Sequence, residues 1–297
     1  MRVRIFFSKG FFPLLFSSLI ILFLTSCIED NNILDNGGNR QLEFSVMTHG
    51  WNSSNSSSSY SKSNSRATPI TGNTFDTSNS FNVIADVNKG GSWSTEVDNE
   101  TASYSIANNI WQTTASHYWP GSGSTVNFYA YYPTSVLSKI THTTGSAPVL
   151  FYTVPDNAAD QIDILASTKT GVAGNSYNQT PVDFKHIFAA VQFSAGSSGL
   201  PSGTISSITI NGIKNSGTYT FGSGWSLDTS TKAFTLSHSK TISGISGENI
   251  YSGTYTLMMI PQTFSNATIT LTYNTGTTYT KTISDIWTAG NTYTYNL

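Results

Sequence analysis

From Ala67 to the end of the chain, apolar side chains recur at every second position. Val83, Ala85 and Val87 alternate in NVIADV, Val126, Phe128, Ala130 and Tyr132 in VNFYAYY, and Ala189, Val191, Phe193 and Ala195 in AVQFSA. Ile208 and Ile210, then Ile269, Leu271 and Tyr273, then Tyr293, Tyr295 and Leu297 repeat the spacing. A period of two is the mark of a strand with one buried face. Gly, Asn, Ser and Pro cluster between the runs, as antiparallel turns require. Only DNAADQIDILAS (156–167) has room for a turn of helix. The pattern therefore predicts an all-β protein. The turn-rich stretch GVAGNSYNQTP (171–181) divides it into expected antiparallel β-sandwich domains over residues 67–180 and 181–297, each large enough for one seven- or eight-strand sandwich.

The first 66 residues follow other rules. Arg2, Arg4 and Lys9 precede an apolar stretch from Phe11 to Leu24, interrupted by Pro13, Ser17 and Ser18 and followed by the small residues Thr25 and Ser26. That order is a secretory signal over residues 1–26, and the interruptions leave fewer than the ~20 continuous apolar residues a membrane span takes. Leu24-Thr25-Ser26-Cys27 is similar to a bacterial lipobox, so Cys27 is the expected lipidated first residue of the mature chain. Several acyl chains on one residue anchor stably where one chain binds only marginally. Glu29 and Asp30 resemble the acidic tether of lipoproteins carried to the outer face of the outer membrane.

Residues 27–66 read as a tether and an N-terminal arm. RQLEFSV (40–46) is a short strand-like run, with Leu42, Phe44 and Val46 on one side. It leads into NSSNSSSSYSKSNS (52–65), in which nine of fourteen residues are serine. Such a tract cannot bury a core and is a linker by composition. Arg66 ends it, an expected exposed basic residue where arm meets folded chain and where proteases cut.

Charge and chemistry narrow the function classes. Removing the signal leaves 11 basic against 16 acidic residues, a net charge near −5, so nucleic acid is not an expected partner. With Cys27 lipidated, no thiol remains for a disulfide or a soft metal site. His49, His117, His142, His186 and His238 show no ligand spacing and are expected at the surface or at strand ends. No G-x-S-x-G elbow occurs, Asp160 and Asp163 are expected to be solvated or turn-capping, and FGSGWS (221–226) reads as a hairpin turn. Trp93, Trp111, Trp119 and Trp225 could stack on a sugar, but core or strand-end positions are the favoured expectation. The chain is expected to be no enzyme and to hold neither cofactor nor metal.

Several stretches in order resemble the fimbrillin family of Bacteroidota, the subunits of type V pili made from lipoprotein precursors. They are the lipobox with Cys27, SRAT (65–68), NFYAYYP (127–133), DILAS (163–167), PVDFKHIFAAVQF (181–193), LMMIPQTFSNATITLTY (257–273) and IWTAGNTYTYNL (286–297). The resemblance implies two tandem transthyretin-like sandwiches and a cell-surface pilus subunit, exported as an outer membrane lipoprotein, cut at an arginine and assembled with other subunits by β-strand exchange. It implies lipid on Cys27, cleavage between Arg66 and Ala67, and a removable strand bearing Leu42, Phe44 and Val46. Tyr293, Tyr295 and Leu297 are then either the donor strand for a neighbouring subunit or an ordinary last strand. The serine tract is longer than the family leads one to expect, which leaves open that the arm is kept as a tether. The alternative is a monomeric, lipid-anchored surface protein that binds a glycan or a host protein.

Overall fold

A computed structural model describes residues 40–53, 70–250 and 257–297. The strands of the first part are β1 (Phe44–Thr48), β2 (Asn52–Ser53), β3 (Ser80–Lys89), β4 (Ser92–Ser105) and β5 (Ile110–Thr113). They are followed by β6 (Ser124–Tyr132), β7 (Ile140–Thr141), β8 (Val149–Thr153), β9 (Leu165–Ala173) and β10 (Thr180–His186). Then come β11 (Ala189–Ser194), β12 (Gly203–Lys214), β13 (Ser216–Thr220), β14 (Gly224–Leu227) and β15 (Thr231–Ile242). The last four are β16 (Leu257–Met259), β17 (Thr263–Tyr273), β18 (Thr278–Ile286) and β19 (Asn291–Asn296). DNAADQIDILAS supplies a turn of helix as a 3₁₀ segment, Ala158–Asp160, capped by the Asn157 side chain accepting from the Ala159 N–H, and a longer 3₁₀ segment, Thr134–Lys139, lies between β6 and β7 where no helix was expected.

Seven strands, in the order β1-β10-β9-β6-β3-β4-β5, close on themselves. The barrel core is aromatic: Phe44, Phe75, Phe81, Trp111, Trp119, Phe128 and Phe184 are all buried in it. Where the alternation predicted one buried face, β3 has two. Val83, Ala85 and Val87 point into the barrel, while Ile84 joins a second core. Tyr129 and Tyr131 of β6 do the same, so the outer wall of the barrel is itself packed.

That second core lies under three four-stranded sheets, ordered β16-β11-β19-β2, β15-β12-β17-β18 and β14-β13-β8-β7. One of them mixes the expected halves, since β8 pairs antiparallel with β13 from Val149↔Thr220 to Thr153↔Ser216, and another takes in the arm strand β2, which pairs with β19. The expected division between residues 180 and 181 falls inside the barrel, because β10 returns antiparallel onto β9 (Lys185↔Ala166, His186↔Leu165). GVAGNSYNQTP is thus the loop of a hairpin, and the chain leaves the barrel after His186. Gly/Asn-rich composition serves a hairpin loop and an interdomain linker equally well, so composition alone cannot separate them. The first strand set is joined into a closed ring through the single register point Phe44↔Trp111 between β1 and β5.

Candidate functional site: the seat of the N-terminal arm

The arm occupies a slot in the barrel wall. β1 runs parallel to β10 in register from Phe44↔Thr180 to Thr48↔Phe184, and touches β5 antiparallel at Phe44↔Trp111. Ahead of it, Gln41 is bridged antiparallel to Tyr118, the Leu42 N–H donates to His117 O at 2.7 Å, and the Trp119 N–H donates to Arg40 O at 2.9 Å. His117 is itself held by Glu100 (2.8 Å) and Glu96 (3.4 Å). β1 therefore pairs along β10 and meets β5 at one residue, and without it both neighbours would present a raw sheet edge.

Side chains along the arm follow the strand period. Leu42 and Phe44 are each 1% exposed in the barrel core. Val46 is half-buried against the same core, and Ser45 and Met47 face outward. Phe44 meets Phe81 and Phe128 edge-on at 6.1 and 6.2 Å, the arrangement aromatic quadrupoles favour. Thr48 is buried too, with Oγ1 donating to Gly72 O at 2.9 Å.

Beyond β1 the arm crosses to the second core. His49 Nε2 lies 2.6 Å from Asp183 Oδ1 at the surface. Trp51 stacks on the His186 ring, centroid to centroid 3.9 Å at 27°. His186 stands at the end of β10, one of the two placements expected for it, but it is buried, with Asp163 Oδ1 2.9 Å from its Nδ1. Asp163, expected to be solvated or turn-capping, is buried as well, and its Oδ2 accepts the Ile70 N–H at 3.0 Å. A pair 23 residues apart is invisible to local spacing. Among the described residues, Trp51 Nε1 and His186 Nε2 are buried with no hydrogen-bond partner. β2 then lies parallel to β19, pairing Asn52 with Asn291 and Ser53 with Thr292, and the Asn52 N–H donates to Gly290 O at 2.8 Å.

A cavity of about 740 Å³ opens beside this crossing. His49, Gly50 and Asn52 of the arm make one wall, and Tyr219, Trp225 and Trp287 stand among the others. Trp225 is fixed by its Nε1 donating to Ile187 O at 2.7 Å. Of the other tryptophans singled out in the sequence, Trp111 and Trp119 are in the barrel core and Trp93 is 39% exposed.

The tail is docked on its own chain. β19 runs parallel to β11 from Ala190↔Thr292 to Ser194↔Asn296. Tyr293 and Tyr295 are half-buried against the second core and Leu297 is buried in it. The Leu297 N–H donates to Ser194 O at 2.8 Å. Burial and the Asp285 carboxylate, which accepts from its hydroxyl at 2.8 Å, push the Tyr295 phenol well above its usual pKa. In this state the tail is the last strand of its own sheet. Cys27, Arg66 and Ala67 lie outside the described residues.

A family model described as fimbrillin-like matches residues 65–297, and no curated protein sequence matches the chain. Among solved structures, the chain is similar to a fimbrial protein from Bacteroides vulgatus (16% identity, 86% of this chain and 94% of that one, TM-score 0.51). A candidate cell adhesion protein from Bacteroides uniformis is 15% identical over 86% of this chain and 94% of its own, with a TM-score of 0.50. A counterpart from Bacteroides ovatus is 15% identical over 84% and 90%, with a TM-score of 0.51.

Proposed function

Because this chain belongs to the fimbrillin-like family, we propose that it is a structural or adhesive, non-catalytic subunit of a cell-surface pilus, assembled with other subunits by strand replacement at the β1 slot. The carrying observation is that β1 closes the barrel from a segment which precedes the serine tract and Arg66 and which the family match does not include. A cut after Arg66 severs the arm's only covalent link to the barrel. The slot then holds the arm by packing and hydrogen bonds alone. Burying Leu42 and Phe44 is worth about 1.5–3 kcal/mol each, so the arm leaves only when another strand supplies equivalent side chains and pairs with β10.

In this reading the precursor reaches the outer membrane as a lipoprotein anchored at Cys27, and cleavage before Ala67 releases the subunit from its lipid. The two tandem transthyretin-like units of the family are part of the same proposal. Its support here is the division into a barrel core and a second core. Tyr293, Tyr295 and Leu297 qualify as a donor strand only if β19 separates from β11.

The test starts from the chain beginning at Ile28, treated with a trace of arginine-specific protease, with the product's N-terminus and its size on an unheated gel both read. A new N-terminus at Ala67 with a ladder of stable oligomers is expected, and Arg66→Ala should abolish both. An arm that resists cutting at Arg66, or a cut chain that stays monomeric when mixed with every other subunit of its pilus, overturns the proposal.

A further inference from the structure

The β1 slot by itself is undemanding. Any extended segment with apolar residues at alternate positions can pair with β10 and fill the space of Leu42, Phe44 and Val46. Discrimination among strands therefore has to come from a contact with a narrower chemical requirement. The crossing at Trp51 is such a contact.

Resting on the strand-replacement reading above, we propose that His186 and the adjoining cavity form an aromatic-binding site, and that a strand taking the arm's place must carry an aromatic side chain where Trp51 now lies. Trp51 covers one face of an imidazole that is otherwise enclosed, at a centroid distance of 3.9 Å. Asp163 fixes that imidazole through Nδ1, so the plane offered for stacking is set before any partner arrives. Once Trp51 is withdrawn, the uncovered face borders the cavity of about 740 Å³, because His49, Gly50 and Asn52 depart with it. The walls left behind include Tyr219, Trp225 and Trp287. An indole or phenol restores a stacked contact on this surface. An aliphatic side chain covers less of the ring and forgoes the preferred aromatic geometry.

Spacing defines the partner further. Trp51 follows Phe44 by seven residues in the sequence. The incoming strand should have apolar residues at three alternate positions and an aromatic residue seven places after the middle one. The tail of this chain meets that poorly: with Tyr295 set on His186, Thr288 and Gly290 fall where Phe44 and Val46 sit.

The experiment leaves every described residue of the protein unaltered and varies only the incoming strand. In the chain beginning at Ile28, residues 60–66 are replaced by the recognition site of a sequence-specific protease, so that release of the arm does not depend on Arg66. After cutting, capture of a fluorescent peptide of residues 40–53 is measured against peptides carrying Trp51→Phe or Trp51→Ala. Native and Trp51→Phe peptides are expected to be captured within about three-fold of each other, and the Trp51→Ala peptide at least about ten-fold more weakly. Equal capture of native and Trp51→Ala peptides would overturn the aromatic requirement and leave strand replacement intact. Failure to capture even the native peptide, with the cut arm shown to have left, would overturn strand replacement and this inference with it.

Discussion

The backbone of Phe44 is bridged antiparallel to that of Trp111, and this one register point joins β1 to β5 and shuts the barrel. On its other side, Phe44 pairs parallel with Thr180. A residue that is 1% exposed and shared by two seams should be costly to truncate. Phe44→Ala is expected to lower stability by about 3–5 kcal/mol, whereas Ser45→Ala, on the outward face, should change it by less than about 0.5 kcal/mol. Urea unfolding of the uncut chain, followed by tryptophan fluorescence, measures both, and equal small effects would show that β1 adds little to the barrel.

Asp163 and Asp160 provide a matched pair of substitutions. Asp163 is buried, pairs with His186 and holds the Ile70 N–H. Asp160 is exposed and takes only a 3.2 Å bond from Asn157. Asp163→Ala leaves a buried imidazole without its carboxylate partner and a part-buried amide without its acceptor, and should cost about 3 kcal/mol or more. Asp160→Ala should cost less than about 0.5 kcal/mol. Thermal melts of the two variants at one pH decide between this account and one in which both acids are solvated.

Gly196 sits against the chain's tail. A Cβ built on it would lie 2.6 Å from the Leu297 carbonyl oxygen, which accepts the Gly196 N–H at 2.5 Å. Gly196→Ala must push the tail outward, at an expected cost of about 1–3 kcal/mol. Hydrogen exchange of the β19 amides should quicken in this variant well before the barrel amides respond. Uniform quickening across both would mean that the tail does not open by itself.

Alkaline pH should destabilise the fold through Tyr152. Burial pushes its phenol up to about 12, against a partial offset from its contact with the Ile162 backbone. The neutral form is the one the folded chain favours. Its contribution is whole below the unfolded value of about 10 and is lost as pH rises through about 12. The loss amounts to roughly 2–3 kcal/mol across that window. Denaturant midpoints at pH 9 and pH 11.5, together with the same pair for Tyr152→Phe, should show a smaller drop in the variant.

Much of this was legible in the chain. The alternation of Val83, Ala85 and Val87, or of Ile269, Leu271 and Tyr273, determined that these runs are strands and which side chains turn inward. The same reading put Leu42, Phe44 and Val46 on one side of the arm, and it made FGSGWS the hairpin turn between β13 and β14. These are local properties, because the side-chain period of a strand is two whatever it pairs with.

Only the tertiary structure decided partners. That β10 belongs with β9 and β1, that β8 reaches across to β13, and that the arm lies parallel to β10 all depend on contacts between distant residues. Periodicity is the same for each alternative pairing. Trp51 went unnoticed, and His186 and Asp163 were weighed separately and never as partners, for that reason: one aromatic, one imidazole and one carboxylate, widely separated in sequence, acquire their meaning only when the folded backbone stacks or pairs them. The sequence by itself determined which faces had to be buried, since that follows from the nature of each side chain. The fold decided what buries them, since that depends on which strands meet.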